Sequence, residues 1–253
     1  MYEIAGDLET ANNNLIRDAN NNTPAWYASN FQKGNLSKYH TMSLIHNSTL
    51  SDIPLHFQGN TIESSGSLKL LGVTIDDQLN FNIHINEISK RASQRVGVMM
   101  RLKKLIPTNS KLTLYKSAIL PYLTYCHLTW HLCTASNKRK LERMQERALR
   151  ALFLDKQSSH KAPLDKGDLI TLQNRRLKDI ALLMYKVKHK LCPMKISELF
   201  HMHCTPYNLR VAEFAIPRFK TKKYDKHSLT YLGPKLRNTL PGEIRTLPTS
   251  DEF

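Results

Sequence analysis

Apolar residues recur along this chain with two different periods, and the change falls near Phe81. Before it, short runs alternate or break at turn-forming residues. After it, apolar positions return every three or four residues over long stretches. Asp7 predicts an N-cap for a helix with apolar positions Leu8, Ala11, Leu15 and Ala19. The asparagines Asn20–Asn22 weaken its end, and Thr23-Pro24 predicts a second short helix through Phe31. Lys33-Gly34-Asn35 marks a turn, and His40–His46 alternates as a strand does. Gln58-Gly59-Asn60-Thr61 predicts a hairpin leading into a strand over Ser67–Ile75.

Beyond Phe81, Ile85, Ile88, Ala92, Val96 and Met99 form the apolar stripe of an amphipathic helix, with Lys90, Gln94, Arg101 and Lys104 near the opposite face. Pro107 stops that helix, and Thr108 or Asn109 caps the next, which carries Leu112, Tyr115, Ile119, Tyr122 and Cys126. Pro121 falls inside it and predicts a kink. Ser136 predicts the cap of a third helix, buried through Leu141, Met144, Ala148 and Leu152. Lys138, Arg139, Arg143, Arg147 and Arg150 spread over its other side, with Glu146 and Arg150 spaced to pair. Asp155–Asp168 reads as a polar linker, and a helix over Leu172–Leu191 ends at Cys192-Pro193. Beyond Phe200 the chain reads as loop-rich and basic. The predicted fold class is α+β, mainly helical, in three segments: 1–80, 81–155 and 156–253.

Charge sharpens this division. The 253 residues carry a formal net charge of +16 with 41% hydrophobic content. Residues 1–80 hold 4 Lys/Arg against 8 Asp/Glu, whereas 81–253 hold 33 against 13. A basic second part on an acidic first part points to a polyphosphate partner, and nucleic acid is the commonest one. The four cysteines follow no paired pattern, which is reduced, intracellular usage. No stretch approaches the ~20 apolar residues of a membrane span, so no membrane partner is expected. MYEIAGDLET lacks the plan of a signal peptide, and Tyr2-Glu3-Ile4 reads as the tail of a strand begun upstream.

Candidate chemistry is sparse. Asp76-Asp77 invites a two-metal reading, in which carboxylates converge on ions about 3.5–4 Å apart. Adjacent strand residues point to opposite faces, so the pair reads instead as a turn that caps the next helix. His127 and His131, or His201, His203 and Cys204, lack the spacing of a zinc module, and Cys126, His127, Trp130 and His131 read as lining a helix packing surface. No phosphate-binding glycine loop or nucleophile elbow is present, and no small-molecule substrate is evident. The tail interleaves charge with rings through Tyr207, Arg210, Phe214, Arg218, Phe219, Lys220, Lys222, Lys223 and Tyr224. That pattern suits backbone neutralisation with base stacking. Phe214, Phe219 and Tyr231 suit equally well the anchoring of a loop onto the helices.

Further features stand in a fixed order. Leu15, Trp26 and Asn30 precede Asn35-Leu36-Ser37-Lys38 with Met42, and then Leu70-Leu71-Gly72-Val73-Thr74-Ile75-Asp76 with Leu79 and Phe81. Leu114-Tyr115-Lys116-Ser117-Ala118-Ile119, Pro121, Tyr125 and Trp130 come next, then the helix Leu141–Leu152. Tyr207-Asn208-Leu209-Arg210, Pro217-Arg218, Tyr231-Leu232-Gly233-Pro234-Lys235-Leu236, Leu240-Pro241 and Ile244-Arg245 close the series. In that order they resemble the part of jockey-like non-LTR retrotransposon reverse transcriptases that lies after the catalytic Asp-Asp strand. Tyr39 stands where that family has Thr, and Met144-Gln145 where it has Leu-Gln.

The resemblance implies a C-terminal fragment of an RNA-directed DNA polymerase: a palm remnant over 1–80, a helical thumb over 81–155, and a trailing segment. It places the catalytic aspartates before Met1, so this chain alone is expected to be inactive, with no cofactor. Mg2+ belongs to the complete polymerase only. Leu71 and Gly72 would lie at the primer grip, and Lys38 would be an accessory acid in the complete enzyme. Lys90, Arg101, Lys104, Arg143, Arg147, Arg150, Arg218, Lys220, Lys222 and Lys223 are the expected contacts to an RNA or DNA template–primer. The alternatives are a non-enzymatic nucleic-acid-binding protein derived from such an element, or a functionless expressed pseudogene. A palm remnant without its neighbouring strands is expected to aggregate or partly unfold.

Overall fold

The computed structural model describes residues 8–42, 44, 54–57, 59–102, 104–154, 161–203, 212–221 and 226–245. It is α+β and mainly helical, and it divides into two compact units, Met1–Ile83 and His84–Phe253. The segments 81–155 and 156–253 lie almost wholly in the second unit.

In the first unit, α1 spans Leu8–Ser29 as one helix with Pro24 inside, so the expected break at Thr23-Pro24 does not occur. Proline removes one intrahelical hydrogen bond, but its fixed φ is already helical, and the helix continues through it. Ser29 Oγ donates to Ala25 O at 2.8 Å and Asn30 Nδ2 to Trp26 O at 2.8 Å, closing the last turn. α1 packs on a hairpin of β1 (Leu55–Phe57) and β2 (Asn60–Ile62). Leu55 and Phe57 are buried while His56 is exposed, the alternation of a half-buried strand. The Tyr39 ring stacks on Phe57 at 5.0 Å. Of the strand expected over His40–His46, an isolated bridge of Thr41 to Ser64 is seen, and residues 43, 45 and 46 lie outside the described residues.

The single strand expected over Ser67–Ile75 is instead a second hairpin, β3 (Ser67–Leu70) with β4 (Val73–Asp76). Its two-residue turn is Leu71-Gly72, with φ of 46° and 85°. Positive φ at both positions is the primed turn that matches strand twist. Glycine supplies that conformation freely, but leucine seldom adopts it, which is why the run reads as continuous strand.

The second unit begins in α2 (Asn82–Leu102), where Ile85, Ile88, Ala92, Val96 and Met99 are all buried, as the periodicity predicts. α3 (Thr108–Leu114) and α4 (Leu120–Thr124) are joined by a π turn over Tyr115–Ile119. The Leu120 N–H reaches Tyr115 O, five residues back, so the backbone widens immediately before Pro121. Trp130–Leu132 form a 3-10 turn, and α5 covers Ala135–Phe153. Thr134, rather than the expected Ser136, caps α5 by accepting the Asn137 N–H at 3.3 Å. The expected linker over 155–168 contains α6 (Lys161–Lys166), held by buried Pro163 and Leu164, with 155–160 outside the described residues.

α7 (Leu172–Lys188) is capped by Thr171 and is succeeded by the short α8 (Met194–Ser197). The tail is less irregular than its composition suggests. α9 (Leu229–Thr239) is capped by Ser228 and packs on α7, and α10 spans Gly242–Arg245. Gly233 permits the α7–α9 approach, because a Cβ there would lie 2.6 Å from Met184 Sδ. Met184, Val187, Phe200 and Phe214 form one buried cluster. Glu213 locks the tail beside it, 2.8 Å from Lys188 Nζ and 3.0 Å from Nε of the fully buried Arg237. Arg237 Nη2 also donates to Arg245 O at 2.7 Å.

Candidate nucleic-acid interface

α5 separates its two sides sharply. Leu141, Gln145, Ala148, Leu149 and Leu152 are buried, whereas Ser136, Arg139, Lys140, Arg143 and Arg147 are exposed or half-buried on the other side. With half-buried Met144, those residues line a shallow depression of about 440 Å³. Arg139, Arg143 and Arg147 stand four residues apart, so their guanidinium groups track one line along the helix.

Buried hydrogen bonds hold that face in place. Gln145, 1% exposed, donates to Tyr115 Oη at 3.1 Å and Ile170 O at 3.0 Å, and it accepts the Leu172 N–H at 3.3 Å. Glu142 accepts the N–H groups of Leu172 at 3.3 Å and Gln173 at 2.7 Å. Its charge is thus placed at the positive N-terminus of α7. The expected pair also forms: Arg150 Nη2 lies 2.6 Å from Glu146 Oε1, which sets Arg150 apart from the other α5 arginines.

α2 borders this face. Lys140 Nζ donates to Asn86 Oδ1 at 2.5 Å, and Ser93 Oγ lies 3.5 Å from Met144 Sδ. Lys90 and Arg101, both exposed, fall within about 60° of Asn86 around the helix axis, so they flank the same seam. Lys104 is exposed just beyond the end of α2. Arg95 is used differently, with its guanidinium 4.4 Å from the Tyr122 ring centre and Nη2 2.5 Å from Tyr122 Oη. The sequence pattern shows Arg139 on the wet side of α5 but gives no sign of Lys140, because nothing in α5 alone says that α2 lies beside it.

Positive charge also runs inside the unit. Arg176, 3% exposed, lies 3.9 Å from Glu142 and 5.7 Å from the Trp130 ring centre. Trp130 is fully buried and donates to Tyr125 O at 2.9 Å. His127 Nε2 is 2.7 Å from Asp179 Oδ2, yet burial outweighs that carboxylate and lowers the imidazole pKa. His131 is buried with no hydrogen-bond partner at either ring nitrogen. Burial, then the charges of Lys138, Arg176, His227 and His127, pushes it down to about 4. Among the described residues, no group of three or more His, Cys, Asp or Glu side chains could hold a metal ion.

The remaining candidates lie apart from α5. Asp76, 8% exposed, accepts the N–H groups of Asn80 at 2.8 Å and Phe81 at 2.5 Å, while Asp77 is exposed. Both Asp76 oxygens are thus occupied by the turn that precedes α2. Leu71 and Gly72 form the exposed tip of the β3–β4 hairpin, with Leu71 83% exposed. Lys38 is exposed on the 3-10 turn Leu36–Lys38, where Asn35 Oδ1 accepts from Ser37 N at 3.0 Å and Ser37 Oγ at 2.7 Å. Arg218 and Lys220 are exposed in the tail, and Lys222 and Lys223 lie outside the described residues. No described helix is long and apolar enough to cross a membrane.

No family model matches the chain, and no solved structure matches it. Over 112 residues it is 30% identical to a Drosophila melanogaster protein named "Probable RNA-directed DNA polymerase from transposon BS", covering 41% of this chain and 12% of that protein. Over 102 residues it is 24% identical to "Probable RNA-directed DNA polymerase from transposon X-element" of the same species, covering 39% of this chain and 11% of that protein. The match therefore spans a small fraction of either relative's length. Part of this chain is similar to one region of transposon RNA-directed DNA polymerases.

Proposed function

We propose that this chain is the template–primer-holding part of a jockey-like non-LTR retrotransposon reverse transcriptase, C-terminal to its catalytic strand and unable to polymerise by itself. The observation that carries this reading is the arginine line of α5. Arg139, Arg143 and Arg147 project together from a helix whose opposite side is fixed by buried packing and hydrogen bonds. Such a line tracks a phosphate backbone without regard to sequence. Lys90 and Arg101 on α2 extend it across the seam, and the similarity to transposon polymerases supplies the class of ligand.

In the complete enzyme, Leu71 and Gly72 would bring a hairpin tip to the primer terminus. Lys38, on an exposed turn, would supply a proton or positive charge near the leaving pyrophosphate. Asp76 and Asp77 do not fit a two-metal site, since Asp76 is committed to two backbone N–H groups, and no metal-dependent step is assigned to them. The test combines a gel shift and primer extension on one primer–template duplex with Mg2+ and deoxynucleotides. The expected outcome is a shift at low salt that fades at moderate salt, with no extension. Extension would overturn catalytic incompleteness. Absence of a shift at low salt would overturn duplex binding.

A further inference from the structure

The tail carries a second basic site, and its chemistry differs from that of α5. Phe214 is fully buried in the α7 cluster, so it anchors the tail. Phe219 lies outside that cluster and is 42% exposed. Its ring meets that of Tyr231, on the first turn of α9, edge to face, with centres 5.5 Å apart and planes at 87°. Lys226 Nζ lies 5.5 Å from the Phe219 ring centre, and Lys235 Nζ lies 5.9 Å from that of Tyr231. Arg218 and Lys220 flank Phe219 in sequence and are both exposed.

We propose that Phe219 and Tyr231 form a stacking platform for an unpaired base of single-stranded nucleic acid, with Arg218, Lys220 and Lys226 on its phosphates. Charge complementarity selects the ligand: a polyanion that also presents flat π faces suits a pair of rings with a cation beside each. A paired base has its faces covered by neighbours in the duplex, so the platform favours a single strand. Its position agrees with that use. Burial, then the charge of Lys138, holds His227 below its ordinary pKa, so the turn after Lys226 lies within electrostatic reach of the first turn of α5. The stacking site does not rest on phosphate binding by α5.

The test measures binding of the full chain to an oligo(dA) strand of about 12 nucleotides and to a duplex of equal length. Phe219→Leu keeps an apolar side chain for packing but removes the π face. It should weaken single-strand binding about five- to tenfold, leave the salt dependence unchanged, and alter duplex binding less than about twofold. Phe219→Trp should restore the single-strand affinity. Wild-type affinity of Phe219→Leu for the single strand would overturn the platform, as would an equal loss on both ligands. Arg143→Ala with Arg147→Ala tests the α5 reading separately, because it should weaken both ligands and flatten the salt dependence. A normal salt dependence in that variant would sink the α5 reading and leave the platform standing.

Discussion

His131 couples the interior of the second unit to pH. Buried without a hydrogen-bond partner and facing Lys138, Arg176, His227 and His127, it stays neutral down to about pH 4 in the folded chain. An unfolded histidine titrates near 6.5, so between about pH 6.5 and 4 the unfolded state binds the extra proton. Stability therefore falls as pH falls through that window, by up to about 3 kcal/mol from this group. Urea midpoints at pH 7, 5.5 and 4.5 should show that loss, and His131→Leu should show a smaller one; parallel pH profiles would contradict the assignment. Leu71 carries a different strain. Its φ of 46° at the first position of a primed turn costs roughly 1 kcal/mol that asparagine largely avoids. Leu71→Asn should raise the melting temperature, and a lower one would mean that this leucine makes contacts worth more than its backbone conformation.

Two glycines test the helices with opposite signs. Gly97 lies inside α2 with nothing near the position of an added Cβ, so Gly97→Ala should stabilise the chain by up to about 1 kcal/mol. Gly233 lies inside α9, where the same substitution drives a methyl into buried Met184. Overpacking of roughly 1–3 kcal/mol outweighs the helical gain, so Gly233→Ala should melt earlier. Chemical denaturation of both variants checks the pair, and a neutral Gly233→Ala would contradict the close α7–α9 approach. The same elements show what a sequence reveals. α2 and the buried side of α5 are legible because an apolar stripe of helical period is a local property. α9 is not, since the chain beyond Phe200 reads as loop-rich, and the use of Gly233 in a close approach to α7 is visible only once α7 is in place. The β3–β4 turn is hidden for a related reason: Leu71 adopts a conformation its type seldom takes. Thr134 and Ser136 are equally good caps on paper, and the path of the chain leaving Trp130–Leu132 decides between them.

For the whole molecule, charge is the feature that sequence and structure share. The excess of Lys and Arg after residue 80 is plain in composition, but composition does not distinguish a dispersed charge from a directed one. The structure directs part of it. Arg150 is taken by Glu146, Arg95 by Tyr122, and Arg237 by Glu213, while Arg139, Arg143 and Arg147 stand in line on one side of α5. The similarity to transposon polymerases covers two fifths of the chain. The most direct measurement is the affinity of the full chain for a primer–template duplex at several salt concentrations, for wild type and for Arg139, Arg143 and Arg147 all changed to Ala. Each lost phosphate contact removes about 0.9 from the slope of log K against log salt. The slope should therefore fall by about 2–3 with the fold unchanged. An unchanged slope and affinity would show that the nucleic acid, if bound, does not lie on α5.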